Sequence, residues 1–318
     1  MNFKDLRRFR AKHAAARMLK SGISGNPMLK PSRSTFLPVR GIEYHVREWG
    51  DPAAPKVVLL HGVQDVSASW QFTVDAMKQD WHFIAPDWRG YGMSGWSGAQ
   101  NYWVPDYVAD LHMILAHYSP DQPALMFTHS LGGNVTSVYA GLRPGRVKKF
   151  INVEGYNIPS IKVEDSWKRY DSWLKEIEKP VSERTYESYE VFARRLRKGN
   201  PRMTEERALF LAQHWCKEVP GGVGLRSDPA YNRGSPLSYR LEENMELWRK
   251  ITAPTLWIEG GASEWLHQML GKPGEYEARK ACYRSLQIER FEEAGHNIHH
   301  EEPERLAEVC EAFLLKKS

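Results

Sequence analysis

The stretch Ala124-Leu125-Met126-Phe127-Thr128-His129-Ser130-Leu131-Gly132-Gly133 decides how the rest of the chain is read. Its first five residues form a short apolar run of the kind that makes a buried strand, and Asn134 to Leu142 follows with helical spacing. A serine between a strand and a helix sits on a sharp turn that holds its hydroxyl clear of the sheet. The same turn leaves the N–H of the next residue, Leu131, free to bind an anion. The positions two before and two after the serine must be small; Gly132 satisfies this, whereas Thr128 stands where a glycine is usual. On its own, a Ser-x-Gly at a helix start is more often an ordinary N-terminal cap, so the flanking segments must decide.

Outward from this turn, short apolar runs alternate with helical stretches. Lys56–Leu60 ends at His61-Gly62, Phe83–Pro86 at Asp87, Phe150–Val153 at Glu154-Gly155 and Thr255–Ile258 at Glu259-Gly260, while Leu286–Phe291 precedes Gly295-His296. This rhythm predicts βαβ units and a parallel sheet, whose functional groups gather at the carboxyl ends of the strands. Ile42–Trp49 alternates as an early edge strand. Between Gly155 and Ile251 the rhythm stops, and helical spacing in Ser166–Ile177, Tyr186–Leu196 and Thr204–Cys216 predicts an inserted helical cap. The expected organisation is a basic extension (1–35), a first core part (36–155), a cap (156–250) and a second core part (251–318).

Composition narrows the class. With 318 residues, 42% of them hydrophobic and 26% charged, the chain can bury a core, which excludes wholesale disorder, collagen and coiled coil. Cys216, Cys282 and Cys310 are odd in number and widely spaced, so neither a disulfide framework nor a zinc ribbon is expected, and the default compartment is reducing and cytoplasmic. No run approaches the ~18 apolar residues of a membrane span. The formal charge of +5 is unevenly placed: residues 1–33 hold nine basic side chains against Asp5, leaving 35 basic against 38 acidic residues in the remainder. Residues 2–20 read as a surface helix, with organelle targeting or peripheral membrane contact through residues 1–33 as the other readings. Gly22–Ser34, with Pro27 and Pro31, reads as a linker. No zinc finger or RNA-binding aromatic motif accompanies the basic leader, so nucleic acid is not an expected partner. Nothing in composition or spacing sets the oligomeric state.

Leu59-Leu60-His61-Gly62-Val63, Pro86-Asp87-Trp88-Arg89-Gly90-Tyr91-Gly92-Met93-Ser94 and Glu293-Ala294-Gly295-His296-Asn297-Ile298-His299-His300-Glu301 join the serine turn in a constellation. Together they resemble the α/β-hydrolase fold superfamily from about residue 36 to the end of the chain. More narrowly, Asp65-Val66-Ser67-Ala68-Ser69-Trp70, Val153-Glu154-Gly155, Asn200-Pro201-Arg202 and Leu256-Trp257-Ile258-Glu259-Gly260 look like its serine hydrolase-like branch. The resemblance implies an α/β fold: a mostly parallel eight-stranded sheet flanked by helices, with the cap inserted after the sixth strand. It also implies a serine hydrolase with Ser130 as nucleophile, His296 as general base, and the N–H groups of Val63 and Leu131 as oxyanion donors.

The acid is less direct. Most members of the superfamily place it after the seventh strand, at the end of a Gly-x-x-Asp segment; here that segment is Gly260-Gly261-Ala262-Ser263. Glu264 is one residue late and Glu259 several early. A second arrangement, seen in some haloalkane dehalogenases, takes the acid from the end of the sixth strand, where Glu154 stands. Glu154 is therefore the expected acid, with Glu264 and Glu259 as alternatives.

Dehalogenases and epoxide hydrolases of this fold carry Asp where this chain has Ser130, so acyl chemistry on an ester or related carbonyl is expected, with a small-molecule acyl substrate. An acyltransferase, a carbon–carbon bond hydrolase or a non-catalytic ligand receptor are the alternatives. No phosphate loop or dinucleotide fingerprint is present and no cofactor is expected. His299 and His300 read as helix-start residues, and with Glu301 and Glu302 they match no strong metal spacing, so no metal is expected. Tyr156, Trp215, Trp257 and Trp265 are candidates for an apolar pocket over Ser130, although each taken singly fits packing within the cap or against the sheet better.

Overall fold

A computed structural model describes residues 29–98, 101–156, 162–233, 235–236 and 240–316. The leader expected over residues 2–20, and residues 22–28 of the linker, lie outside them.

Eleven strands are present among the described residues: β1 (Ser32–Val39), β2 (Ile42–Trp49), β3 (Lys56–Leu60), β4 (His82–Pro86), β5 (Ala124–His129), β6 (Val147–Val153), β7 (Thr185–Tyr186), β8 (Cys216–Val219), β9 (Gly222–Leu225), β10 (Thr255–Gly260) and β11 (Leu286–Phe291). Eight of them form one sheet in the order β1-β2-β4-β3-β5-β6-β10-β11. Only β2 runs against its neighbours β1 and β4; β4, β3, β5, β6, β10 and β11 are parallel. The interior strands are apolar on both faces because helices cover both sides. Val104–Tyr118, Leu131–Leu142 and Leu241–Trp248 cover one face, closing a core that includes Val58, Met126, Phe150 and Trp257. Gln71–Ala76 and Pro303–Leu315 cover the other, over Val57, Phe127, Ile151 and Ile258.

Two boundaries differ from the sequence expectation. The sheet begins at Ser32, inside the stretch read as a linker, because an edge strand is held by its backbone pairing to β2 and tolerates polar side chains. Lys30 and Arg33, counted with the basic leader, are docked on this body: Lys30 Nζ donates to the carbonyls of Val74 (2.9 Å) and Met77 (2.6 Å), and Arg33 pairs with Glu48 at 2.7 Å. At the other end of the insertion, helix Leu241–Trp248 packs on helix Leu131–Leu142 so closely that a Cβ on Gly141 would lie 2.3 Å from the Leu247 carbonyl oxygen. It therefore belongs to the layer flanking the sheet, and the inserted segment ends before it rather than at residue 250.

The insertion between β6 and β10 is not all helical. Helices Ser166–Ile177, Tyr189–Gly199 and Glu205–Trp215 are accompanied by a three-stranded sheet in the order β7-β9-β8. Ser188 and Thr204 cap the second and third helices by accepting the N–H of Val191 and Arg207. These elements close a small core of their own around Phe192, Met203, Leu211 and Cys216. None of the described helices is long and apolar enough to cross a membrane.

Candidate active site

β5 delivers Ser130 into a backbone conformation that side chains rarely adopt, φ 50° and ψ −114°. The turn is held by the Ser130 N–H donating to the Val153 carbonyl (2.9 Å), and the following helix starts with the Asn134 N–H on the Ser130 carbonyl (3.0 Å). Gly132 is required sterically, since a Cβ there would approach the Leu60 carbonyl oxygen to 2.4 Å. Thr128 is accommodated where a glycine is usual because its hydroxyl donates to the Ile151 carbonyl at 2.9 Å, which satisfies the buried polar atom.

Glu154 follows β6 and is also at positive φ, 54°. Its buried carboxylate is fully engaged. Oε1 accepts from the Gly260 N–H (2.9 Å) and the Tyr156 hydroxyl (3.1 Å); Oε2 accepts from the Ser263 hydroxyl (2.5 Å) and faces His296 Nδ1 at 3.1 Å. Burial, with the Glu154 charge beside it, pushes the Tyr156 phenol far up, so Tyr156 remains a donor. His296 Nε2 lies 3.1 Å from Ser130 Oγ. Ser130, His296 and Glu154 are thus brought together in one hydrogen-bonded line.

The other two carboxylates are not brought there. Glu259 lies within β10, where it is held by the Tyr276 hydroxyl (2.8 Å) and Arg290 (2.9 Å). Glu264 is exposed in the first turn of helix Glu264–Leu270. Ser263, at the position where the resemblance led to an expected acid, is instead a donor to Glu154.

The His296 loop is anchored by groups that sequence reasoning did not single out. The His129 Nε2–H donates to the His296 carbonyl at 2.9 Å, and the Gly295 N–H donates to Glu301 at 2.7 Å. His129 is fully buried, and burial, followed by the nearby His299 and His296, holds its imidazole far below the ordinary histidine value, hence neutral. His299 and His300 stand in the first turn of helix Ile298–Glu301, as expected, and both are buried. Burial pushes His299 down to about 4, so its neutral Nε2–H donates to Asp65 at 3.0 Å. Burial opposes the Asp65 charge, but the His299 hydrogen bond and the His300 imidazole 3.6 Å away outweigh it and hold that carboxyl well below the usual range. The ligand-type atoms of Asp65, His299 and His300 lie within 4.8 Å of one another, and the Asp65 carboxylate is also engaged by the Val66 N–H and the Ser69 hydroxyl. The loop after β3 is fixed in turn by His61, whose Nδ1–H donates to the Gly62 carbonyl (2.8 Å) and whose Nε2 accepts the Trp88 N–H (2.9 Å).

A cavity of about 1310 Å³ opens above Ser130, and Val63 and Leu131 both line it. Leu131 is the first helical residue, where an N–H has no intrahelical acceptor. Of the four aromatic candidates, Trp215 and Trp265 line the cavity. Tyr156 and Trp257 do not: they are fully buried and stack on each other, ring centroids 4.5 Å apart, so their aromatic surface is consumed in the core.

Residues 55–182 match the family model described as "alpha/beta hydrolase fold". The chain is 30% identical over 237 residues to the 3-hydroxybutyrate-oligomer hydrolase of Cupriavidus necator, covering 70% of this chain and 77% of that protein. The eight-stranded, mostly parallel sheet with its strand-to-helix serine turn is that of the α/β-hydrolase superfamily, to which the chain belongs. Within it, the chain is a member of the serine hydrolase-like branch: the zebrafish serine hydrolase-like protein is 25% identical over 295 residues, covering 89% of this chain and 88% of its own length. Among solved structures, the thioesterase domain from the curacin biosynthetic pathway superposes with a TM-score of 0.76 at 23% identity, over 88% of this chain and 99% of that one.

Proposed function

We propose that the protein is a serine hydrolase that cleaves a carboxylic ester or related acyl bond through Ser130, His296 and Glu154. The observation that carries this reading is the line Ser130 Oγ to His296 Nε2 and His296 Nδ1 to Glu154 Oε2, 3.1 Å at each step. A serine hydroxyl is a weak nucleophile at neutral pH. His296 Nε2 takes its proton as Oγ attacks the carbonyl carbon, while Glu154 fixes the tautomer by accepting from Nδ1–H and stabilises the imidazolium that forms. The carbonyl oxygen becomes an oxyanion, which the N–H groups of Val63 and Leu131 receive. Collapse expels the alcohol, which takes the proton from Nε2; water, deprotonated by the same nitrogen, then attacks the acyl-enzyme and releases the acid. Ser263 and the Gly260 N–H hold the carboxylate that holds the imidazole. The inserted segment, contributing Trp215 to the cavity wall, acts as the cap over the site.

A fluorophosphonate probe tests the reading by phosphonylating an activated serine. The wild-type protein is expected to label, and Ser130→Ala and His296→Ala are expected not to. A folded wild type that resists the probe rules out the mechanism.

A further inference from the structure

We propose that the cavity beside Ser130 is a trough for a medium- to long-chain acyl group, which lies along helix Leu131–Leu142 after Ser130 has attacked its carbonyl. The inference rests on the serine hydrolase reading and specifies its substrate class.

The shape follows from helical spacing. Helix Leu131–Leu142 gives Asn134, Val138 and Leu142 to the cavity wall, each one turn below the last. Helix Val104–Tyr118 gives Val104, Val108 and His112 at the same interval, and helix Leu241–Trp248 adds Asn244 and Leu247. Residues four apart stand one above another on a helix, so each set is a line nearly parallel to its axis. Three such lines facing one volume make a long channel. Val138 is half-buried and Leu142 exposed, unlike the buried Val135, Tyr139 and Ala140 of the same helix, so this stripe keeps apolar surface open to the cavity.

Its length can be read from the same helix. Twelve residues separate Ser130 from Leu142, and at about 1.5 Å per residue the channel runs about 18 Å from the nucleophile. With C–C bonds of about 1.5 Å and angles near 111°, an extended chain advances about 1.25 Å per carbon, so about fourteen carbons fill it. A two- or four-carbon acyl group would leave most of the apolar wall uncovered. The far end carries Arg143, directly after Leu142, whereas Arg240 and Glu243, paired at 3.4 Å, stand one to two turns nearer the nucleophile, because their helix descends to place Leu247 against Gly141. A tail longer than the trough would run out beside Arg143 into water and gain nothing further.

The test is a chain-length profile with p-nitrophenyl acetate, butyrate, octanoate, laurate, myristate and stearate at monomeric concentrations. For the wild type, kcat/KM is expected to rise about tenfold or more from butyrate to laurate, since each buried methylene adds a factor of a few, and to level off beyond myristate. Val138→Trp places an indole about 12 Å below Ser130 and is expected to cut laurate turnover about tenfold while leaving butyrate within about threefold. Val108→Trp blocks the trough from the opposite wall about one turn nearer Ser130, since His112, one turn further on, meets the Tyr139 hydroxyl at 3.4 Å, and serves as the second variant. A profile that is flat or falls from butyrate to laurate overturns the trough while ester hydrolysis stands; so does an equal loss on both esters in the two variants. No turnover of any ester, together with no fluorophosphonate labelling, overturns the hydrolase reading and the trough with it.

Discussion

The ends of β6 and β10 lie side by side, with Val153 paired to Ile258, and each presents a buried glutamate one residue later. Glu259 is still within its strand. The strand's alternation directs its side chain to Tyr276 and Arg290, away from the serine turn. Glu154 stands one residue past the last residue of β6, at positive φ, where the alternation no longer governs it, and it faces His296 instead. Two carboxylates of the same type on neighbouring strands thus have different partners because of one backbone torsion. Ser263, beyond β10, completes the exchange by donating to the acid on the neighbouring strand.

The largest test of this contrast is paired substitution. Glu154→Gln keeps the shape but offers no charge to the imidazolium, and it is expected to lower kcat on p-nitrophenyl butyrate by about 10³ to 10⁴. Glu259→Gln should leave kcat within about threefold, because the group does not touch His296. The reverse order would return the acid to β10. A smaller effect sharpens the comparison: adding Ser263→Asp to Glu154→Gln should restore activity by about tenfold or more, since a carboxylate at 263 lies next to the vacated position. No recovery in a folded double variant would show that Ser263 only fills space. The smallest effect lies in stability. Burial raises the Glu259 carboxyl above its ordinary value despite Tyr276 and Arg290. A raised acid contributes stability that is present below its unfolded pKa and is lost as pH rises through its folded one. Glu259→Gln should therefore remove a downward slope of stability from the acid range toward neutrality, read as a flatter pH dependence of the urea unfolding midpoint.

Much of this site could be read from the chain because its parts are local. The serine turn, the His296 loop and the oxyanion segment each lie within a few residues of an apolar run, and a missing aspartate at position 263 was enough to direct attention to Glu154. What escaped reading depends on distant partners. Asp65 and His299 are 234 residues apart in the chain, and nothing near either one announces the pair. Tyr156 and Trp257 look like pocket residues in any list of aromatics; only the packing of β6 against β10 makes them face each other. The β7-β9-β8 sheet was missed because two- and four-residue strands carry no measurable alternation among Trp-, Arg- and Glu-rich helices. The start at Ser32 was missed because an edge strand is specified by backbone pairing rather than by apolar side chains.

Ser130 and Glu154 are two of only four non-glycine residues at positive φ among the described residues. Such conformations cost on the order of 1–3 kcal/mol each. Ser130→Gly would relieve one of them, less the ~0.5–1 kcal/mol of freedom that glycine adds to the unfolded chain. The variant is expected to be inactive and yet to melt a few degrees higher by calorimetry. Stability and turnover therefore pull in opposite directions at this codon. A lineage released from the need for catalysis would have a thermodynamic reason to lose the serine first and keep the fold.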